Sequence, residues 1–160
     1  SPEARSYNPW GKVPILIDGD ASITDSTAIL TYLADKHAEF TAPSGTLARA
    51  QQDSVTQFVL DEMDAILWMA ARHSFALPEA MRLPAIKESL KWEYTRSLQR
   101  LAVRLQGPFL TGDRMTVPDI IATHCLIWGI NAKFAAPDDI LGDYLGRMRA
   151  RPAYIRAMAA

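Results

Sequence analysis

Apolar positions early in the chain follow the short-period pattern of strands, and those after it recur at helical steps. Val13 to Ile17 is β-branched and aliphatic, Asp18-Gly19-Asp20 is a turn signal, and Ala21 to Thr24 can form a second short strand, so this segment reads as a β-hairpin. In Thr27 to Lys36 the residues Ile29, Leu30 and Leu33 fall at helical spacing, with Asp25 or Ser26 at the helix N-terminus. Phe40 to Thr46, with its proline, glycine and small polar residues, reads as a linker between two periodic segments.

Everything beyond the linker has helical spacing. From Leu47 to about Arg72, the residues Val55, Phe58, Val59, Ile66, Leu67 and Ala70 predict one long amphipathic helix. After a loop with Pro78 and Pro84, Pro84 opens a second helix whose stripe of Ile86, Leu90, Tyr94, Leu98, Leu101 and Leu105 runs to Gly107-Pro108. Two long helices joined by a short loop form an antiparallel hairpin. A third helix has the strongest local start signal: Thr116 as N-cap, Asp119 three residues later, and Met115 with Ile120 placed as a hydrophobic staple. Its run from Ile120 to Trp128 is apolar on most faces and predicts a helix through the centre of a bundle. Shorter helices over 138–149 and 152–159 complete the chain.

Pro14 is the awkward residue of the hairpin, since a proline cannot donate to a ladder and belongs at a strand start or edge. In trans it is an ordinary turn proline. In cis, the Val13 N–H and C=O are offered outward to an extended peptide. Asp25 and Ser26 also have two readings. They can simply cap the helix, or the free N–H groups and the Ser26 hydroxyl can hold a carboxylate while Asp25 faces an ammonium.

These features coincide in a known pattern. Residues 8 to 34, NPWGKVPILIDGDASITDSTAILTYLA, resemble the second half of the thioredoxin-like domain of glutathione S-transferases, where an N-P-x-G-K-V-P-x-L strand leads to an E/D-S-x-A-I-x-x-Y-L helix. The resemblance implies that Val13 pairs through its backbone with the cysteinyl part of glutathione and that Pro14 is the cis proline. It further implies that Asp25 and Ser26 hold the γ-glutamyl group and that Lys12 lies near the glycyl carboxylate. Asp25 stands where many members carry Glu. Thr116-Val117-Pro118-Asp119 resembles the capping box that begins the central helix of the family's helical domain, which makes Asp119 a folding residue contributing ~1 kcal/mol or somewhat more.

The implied architecture is a mixed α/β remnant of a thioredoxin-like domain over 1–39, a linker over 40–46 and an all-helical bundle over 47–160. A β-α-β unit of about 30 residues or more is expected before the hairpin, where only Ser1 to Tyr7 stand. In the family the catalytic Ser, Tyr or Cys lies in that unit, so no catalytic residue is assigned within these 160 residues. Trp68, Arg72 and His73 fall where the family's electrophile cleft lies; the alternative makes Trp68 core and Arg72 a partner of the helix dipole.

Composition narrows the classes. With 49% hydrophobic and 22% charged residues, the chain is long enough for one good core or two small ones. Seventeen basic against eighteen acidic residues, a formal net charge of −1, argue against a general nucleic-acid or anionic-membrane binder. No run has the apolar length of a membrane span and no signal peptide is seen at Ser1. Cys125 is the single cysteine, which excludes an internal disulfide and fits a cytoplasmic location. It lies in the apolar helix with nothing basic beside it, as a buried inert thiol does. His37, His73 and His124 lack a second ligand at metal spacing, so no metal is expected. The function implied is a homodimeric transferase that joins glutathione to a small hydrophobic electrophile. The alternatives are a non-catalytic interaction module of the same fold, or an isomerase or peroxidase using glutathione as cofactor.

Overall fold

Pairing in the hairpin begins where proline no longer forbids it. In the computed structural model, which describes residues 2–137 and 139–159, strand β1 spans Ile15–Asp18 rather than starting at Val13, because Pro14 has no N–H to donate. Gly19 turns the chain at φ 60°, and β2 (Ala21–Thr24) returns antiparallel with Ile15 opposite Thr24 and Asp18 opposite Ala21. A short helix α1 (Pro2–Tyr7), with no buried residue and no periodic signal, precedes the hairpin. Helix α2 (Ser26–His37) packs Ile29 and Ala34 inward and ends at Ala38, whose left-handed conformation returns its N–H to Ala34 O and Asp35 O. Asp18 accepts hydrogen bonds from Tyr32 Oη and Lys36 Nζ, tying β1 to α2.

The segment from 40 to 46 is fastened from both sides. Gln52 Oε1 accepts Ala42 N–H at 2.8 Å, Arg49 donates to Asp35 and Asp53, and Phe40 O accepts Val117 N–H at 2.9 Å. The expected single helix from Leu47 to Arg72 is continuous in course but not in winding. Helix α3 (Leu47–Val59) passes through a π turn at Leu60–Asp64 into α4 (Ala65–Ala71), and a second π turn at Arg72–Ala76 ends the run. Each π turn accommodates extra chain per turn, which three- and four-residue spacing does not reveal. Helix α5 (Ile86–Arg104) begins two residues after Pro84, whose carbonyl accepts Lys87 N–H. Helix α6 (Val117–Asn131), α7 (Asp139–Arg149) and α8 (Pro152–Ala159) follow. Position 138, the expected start of the seventh helix, lies outside the described residues.

As its composition predicts, α6 is the axis of the bundle. Ala122, Cys125 and Leu126 are fully buried against α3 and α4, and Tyr94 from α5 closes the other side. Tyr94 Oη donates to Cys125 O at 3.1 Å, and its ring meets Phe134 edge-on at 5.4 Å. This approach requires a glycine, because a Cβ on Gly129 would lie 2.3 Å from Tyr94 Oη.

Asp119 has a wider reach than a helix cap. Its Oδ2 accepts Thr116 N–H at 2.8 Å, while Oδ1 accepts Leu110 N–H and Tyr144 Oη, both at 2.9 Å. One carboxylate with 0% exposure thus binds the loop before α6, the first turn of α6, and α7. Burial pushes its carboxyl pKa up, and the donors around it pull back.

Two substitutions test these contacts. Asp119→Ala leaves two buried N–H groups without partners and Tyr144 Oη with only the carbonyl of residue 119 at 3.4 Å, and is expected to destabilise by about 3 kcal/mol or more, well beyond the loss of a cap alone. Gly129→Ala forces Tyr94 off its position and is expected to cost about 2 kcal/mol. Denaturant midpoints at unchanged slope measure both; a wild-type midpoint in either variant contradicts the corresponding contact.

Candidate functional site

The loop before β1 is shaped by a buried amide. Asn8, only 4% exposed, donates from Nδ2 to Lys12 O at 2.9 Å and accepts Trp10 N–H at Oδ1 at 3.2 Å. Gly11 completes the turn at φ 66°, with its N–H on Asn8 O. The loop delivers Lys12, Val13 and Pro14 to the surface. The Val13–Pro14 peptide is cis. Val13 is 77% exposed, and neither its N–H nor its C=O has a hydrogen-bond partner among the described residues.

Next to it, Asp25 holds a positive φ of 77° with ψ 125°, unusual for a residue with a side chain and common at ligand sites. Its Oδ1 accepts Thr27 N–H at 2.9 Å and Ala28 N–H at 3.0 Å, while its O accepts Ile29 N–H. Three donors of the first turn are consumed in this way. Ser26 N–H and Oγ remain without partners among the described residues, as does Asp25 Oδ2. Unused donors and an unused acceptor therefore stand side by side at the positive end of α2.

A third group comes from the first π turn. Burial raises the Asp64 carboxyl above the ordinary carboxylate value; His124 of α6 pulls it down, and Asp25 pushes it further up. Asp64, Asp25 and His124 thus lie near enough for their charges to interact, although they come from three separate elements. Asp64 was missed by motif reasoning. Its signal is a carboxylate beside the apolar run Ala65 to Ala71, where an acidic side chain is left partly buried.

Trp68 and Arg72 follow Asp64 at four-residue steps, so they continue along its side of the helix. Trp68 is 44% exposed and Arg72 is half-buried. His73 is occupied elsewhere: its Nδ1 accepts Leu83 N–H at 3.0 Å and fastens the loop before α5. None of the three lines the main apolar groove, a cavity of about 480 Å³ between α6, α7 and α8 that includes Ile120, His124, Met148 and Tyr154. Cys125 is fully buried, and burial pushes its thiol pKa up, away from thiolate chemistry. Among the described residues no group of three His, Cys, Asp or Glu side chains could hold a metal ion, and no helix is long and apolar enough to cross a membrane.

Comparison with known proteins points to one family. The family profile described as glutathione S-transferase, N-terminal domain, matches residues 1–41. Glutathione S-transferase Z2 of Arabidopsis thaliana is 34% identical over 119 residues, which are 72% of this chain and 53% of that protein. A probable elongation factor 1-gamma 2 of the same plant is 32% identical over 139 residues, 84% of this chain and 32% of that protein. The crystal structure of a glutathione transferase from Methylococcus capsulatus superposes with a TM-score of 0.78 at 30% identity, covering 97% of this chain and 76% of that one. The chain spans about half the length of the curated transferase relative and about a third of the elongation factor.

The charge environment of Asp64 gives a pH test. In the unfolded chain Asp64 loses its proton around 3.8, whereas the folded chain holds it to higher pH. Raising pH through that window therefore costs native stability, and below it the cost vanishes. Asp64→Asn is expected to gain stability relative to wild type as pH rises above about 4 and to converge with it near pH 3. A difference in melting temperature that does not change with pH contradicts this placement of Asp64.

Proposed function

This chain belongs to the glutathione S-transferase family, and we propose that its hairpin and the start of α2 bind glutathione. The observation that carries the reading is the set of unpartnered groups at Val13, Asp25 and Ser26, all within the 41 residues that match the family's N-terminal domain.

Each part of the tripeptide has a chemical counterpart. The γ-glutamyl end carries a carboxylate and an ammonium on one carbon. Ser26 N–H and Oγ accept the role of carboxylate donors, and Asp25 Oδ2 takes the ammonium, with Asp64 adding negative charge beside it. The Val13 N–H and C=O pair with the cysteinyl backbone in the manner of an added strand. Lys12 attracts the glycyl carboxylate. These residues account for recognition; they do not account for activation of the thiol.

In the reaction we propose, the glutathione thiolate attacks an electrophilic carbon of a small hydrophobic substrate. A sulfur–carbon bond forms, and the bond to the leaving group breaks with its electron pair departing on the leaving group, which is released as an anion or takes a proton from water. Trp68 and Arg72, on the side of the helix that begins at Asp64, are assigned to the electrophile, and His73 to the loop that bounds it. By the same reading the enzyme works in the cytoplasm as a homodimer. Trp92 and Val103 support an interface on α5: both are exposed on one face of it, and Arg96 stacks over Trp92 at 4.6 Å.

A second reading, a non-catalytic module of the same fold, is favoured by the similarity to a probable elongation factor 1-gamma 2 over 84% of the chain. Turnover of a generic electrophile with glutathione supports the enzyme; glutathione binding without turnover supports the module. Ser26→Ala is expected to lower affinity for glutathione about tenfold, since it removes a hydrogen bond to a charged group. Titration calorimetry and retention on immobilised glutathione read the loss. Equal retention of variant and wild type removes Ser26 from the site.

A further inference from the structure

The loop between α4 and α5 leaves apolar side chains in water. Phe75, Met81 and Leu83 are 68%, 65% and 64% exposed and fall within nine residues of one another. No other stretch of that length among the described residues holds three large apolar side chains so open to solvent. Single exposed apolar residues are ordinary, but a cluster of them marks a surface that meets a partner or a membrane.

The loop is stiff. Leu77 N–H bonds Arg72 O at 3.0 Å, Met81 N–H bonds Pro78 O at 2.9 Å, and Leu83 N–H is held by His73. The Arg82 guanidinium donates to Leu77 O at 2.8 Å and to Phe75 O at 3.0 Å, closing the loop from inside. Pro78 and Pro84 fix the backbone at two further points. Its apolar side chains are therefore held outward and are not free to fold back on the core.

Positive charge surrounds the cluster. The whole chain carries a formal net charge of −1, yet residues 72 to 91 contain Arg72, Arg82, Lys87 and Lys91 against Glu79 and Glu88. Phe75 borders one recess with Lys87, Lys91 and Lys133, and no carboxylate lines it. Neither Lys87 nor Lys133 has an ion-pair partner among the described residues, Lys91 has only Glu88 at 3.6 Å, and the partners of Arg82 are neutral carbonyls. Glu79 is the one carboxylate on the loop itself.

We propose that this loop docks the protein on an anionic membrane surface, with Phe75, Met81 and Leu83 in the boundary between headgroups and acyl chains and Lys87, Lys91 and Lys133 on the lipid anions. Apolar tips backed by a collar of cations match that boundary, where hydrophobic burial and electrostatic attraction add. A protein partner needs a complementary contact of about 1,000 Å², whereas lipid adapts to side chains that stand out from a loop. The docking does not depend on glutathione, since the loop lies outside the 41 residues that match the N-terminal domain.

Co-sedimentation with phosphatidylcholine vesicles containing about 30% phosphatidylserine tests the proposal. Wild type is expected to bind them, to bind less as salt rises, and to leave pure phosphatidylcholine vesicles unbound. Phe75→Ser/Leu83→Ser is expected to lower partitioning roughly tenfold or more. Lys87→Gln/Lys133→Gln is expected to lower it at low salt and to flatten its salt dependence. All four positions lie at the surface, so both variants keep the wild-type denaturant midpoint. Met81→Cys carrying an environment-sensitive dye is expected to shift to the blue on the anionic vesicles. Absence of binding at millimolar lipid, equal binding to pure phosphatidylcholine, undiminished partitioning of the serine variant, or an unshifted dye each overturns the docking. Binding of a helical peptide with one leucine face and one glutamate face, without binding of vesicles, assigns the surface to a protein partner and overturns it equally.

Discussion

A single buried carboxylate holds the helical part of this protein in register. Asp119 collects donors from the loop before α6, from the first turn of α6 and from α7. Directional bonds of this kind determine where α6 begins and how it is oriented, and apolar contact alone does not. The rest depends on that orientation: Gly129 must meet Tyr94, His124 must reach the neighbourhood of Asp64, and Trp128 must face the lysines of α5. The bond between Val117 N–H and Phe40 O then ties the same helix start to the segment that leads back to α2.

The capping box was legible because every group in it is local: Thr116 and Asp119 are three residues apart, and their pairing is a property of any helix start. The donors Leu110 and Tyr144 were not legible, since they are brought in by tertiary packing. The hairpin, α2 and the apolar axis of α6 follow from turn chemistry and period, and all were predicted near their observed limits. The π turns escaped, because spacing at three and four residues survives one extra residue in an otherwise apolar run. Helix α1 escaped for the opposite reason, having no apolar face to give it a period.

Legibility of the candidate site divides along the same line. Val13, Asp25 and Ser26 lie within 14 residues of one another in a recognisable pattern, and the Val13 N–H and C=O, the Ser26 N–H and Oγ and Asp25 Oδ2 have no partners among the described residues. Asp25 spends one oxygen on the helix and retains the other, so one side chain both builds the corner and charges it. Asp64 belongs to no motif and gains meaning only from its surroundings. His73 illustrates the converse, since its place in the sequence suggested a cleft while its ring nitrogen secures a loop.

The π turn at Leu60–Asp64 has a consequence for how this helix tolerates change in length. Each residue of an α-helix advances the face by about 100°, and the wide turn absorbs one residue more than ordinary winding would hold in the same arc. Removing one residue there would let the helix close into ordinary winding while the run that follows kept its facing, with Leu67 and Ala71 still in the core and Trp68 still toward solvent. Loss of one residue within α4 would instead swing everything after it out of register. The wide turn is therefore the place on this helix where a change in length disturbs the core least.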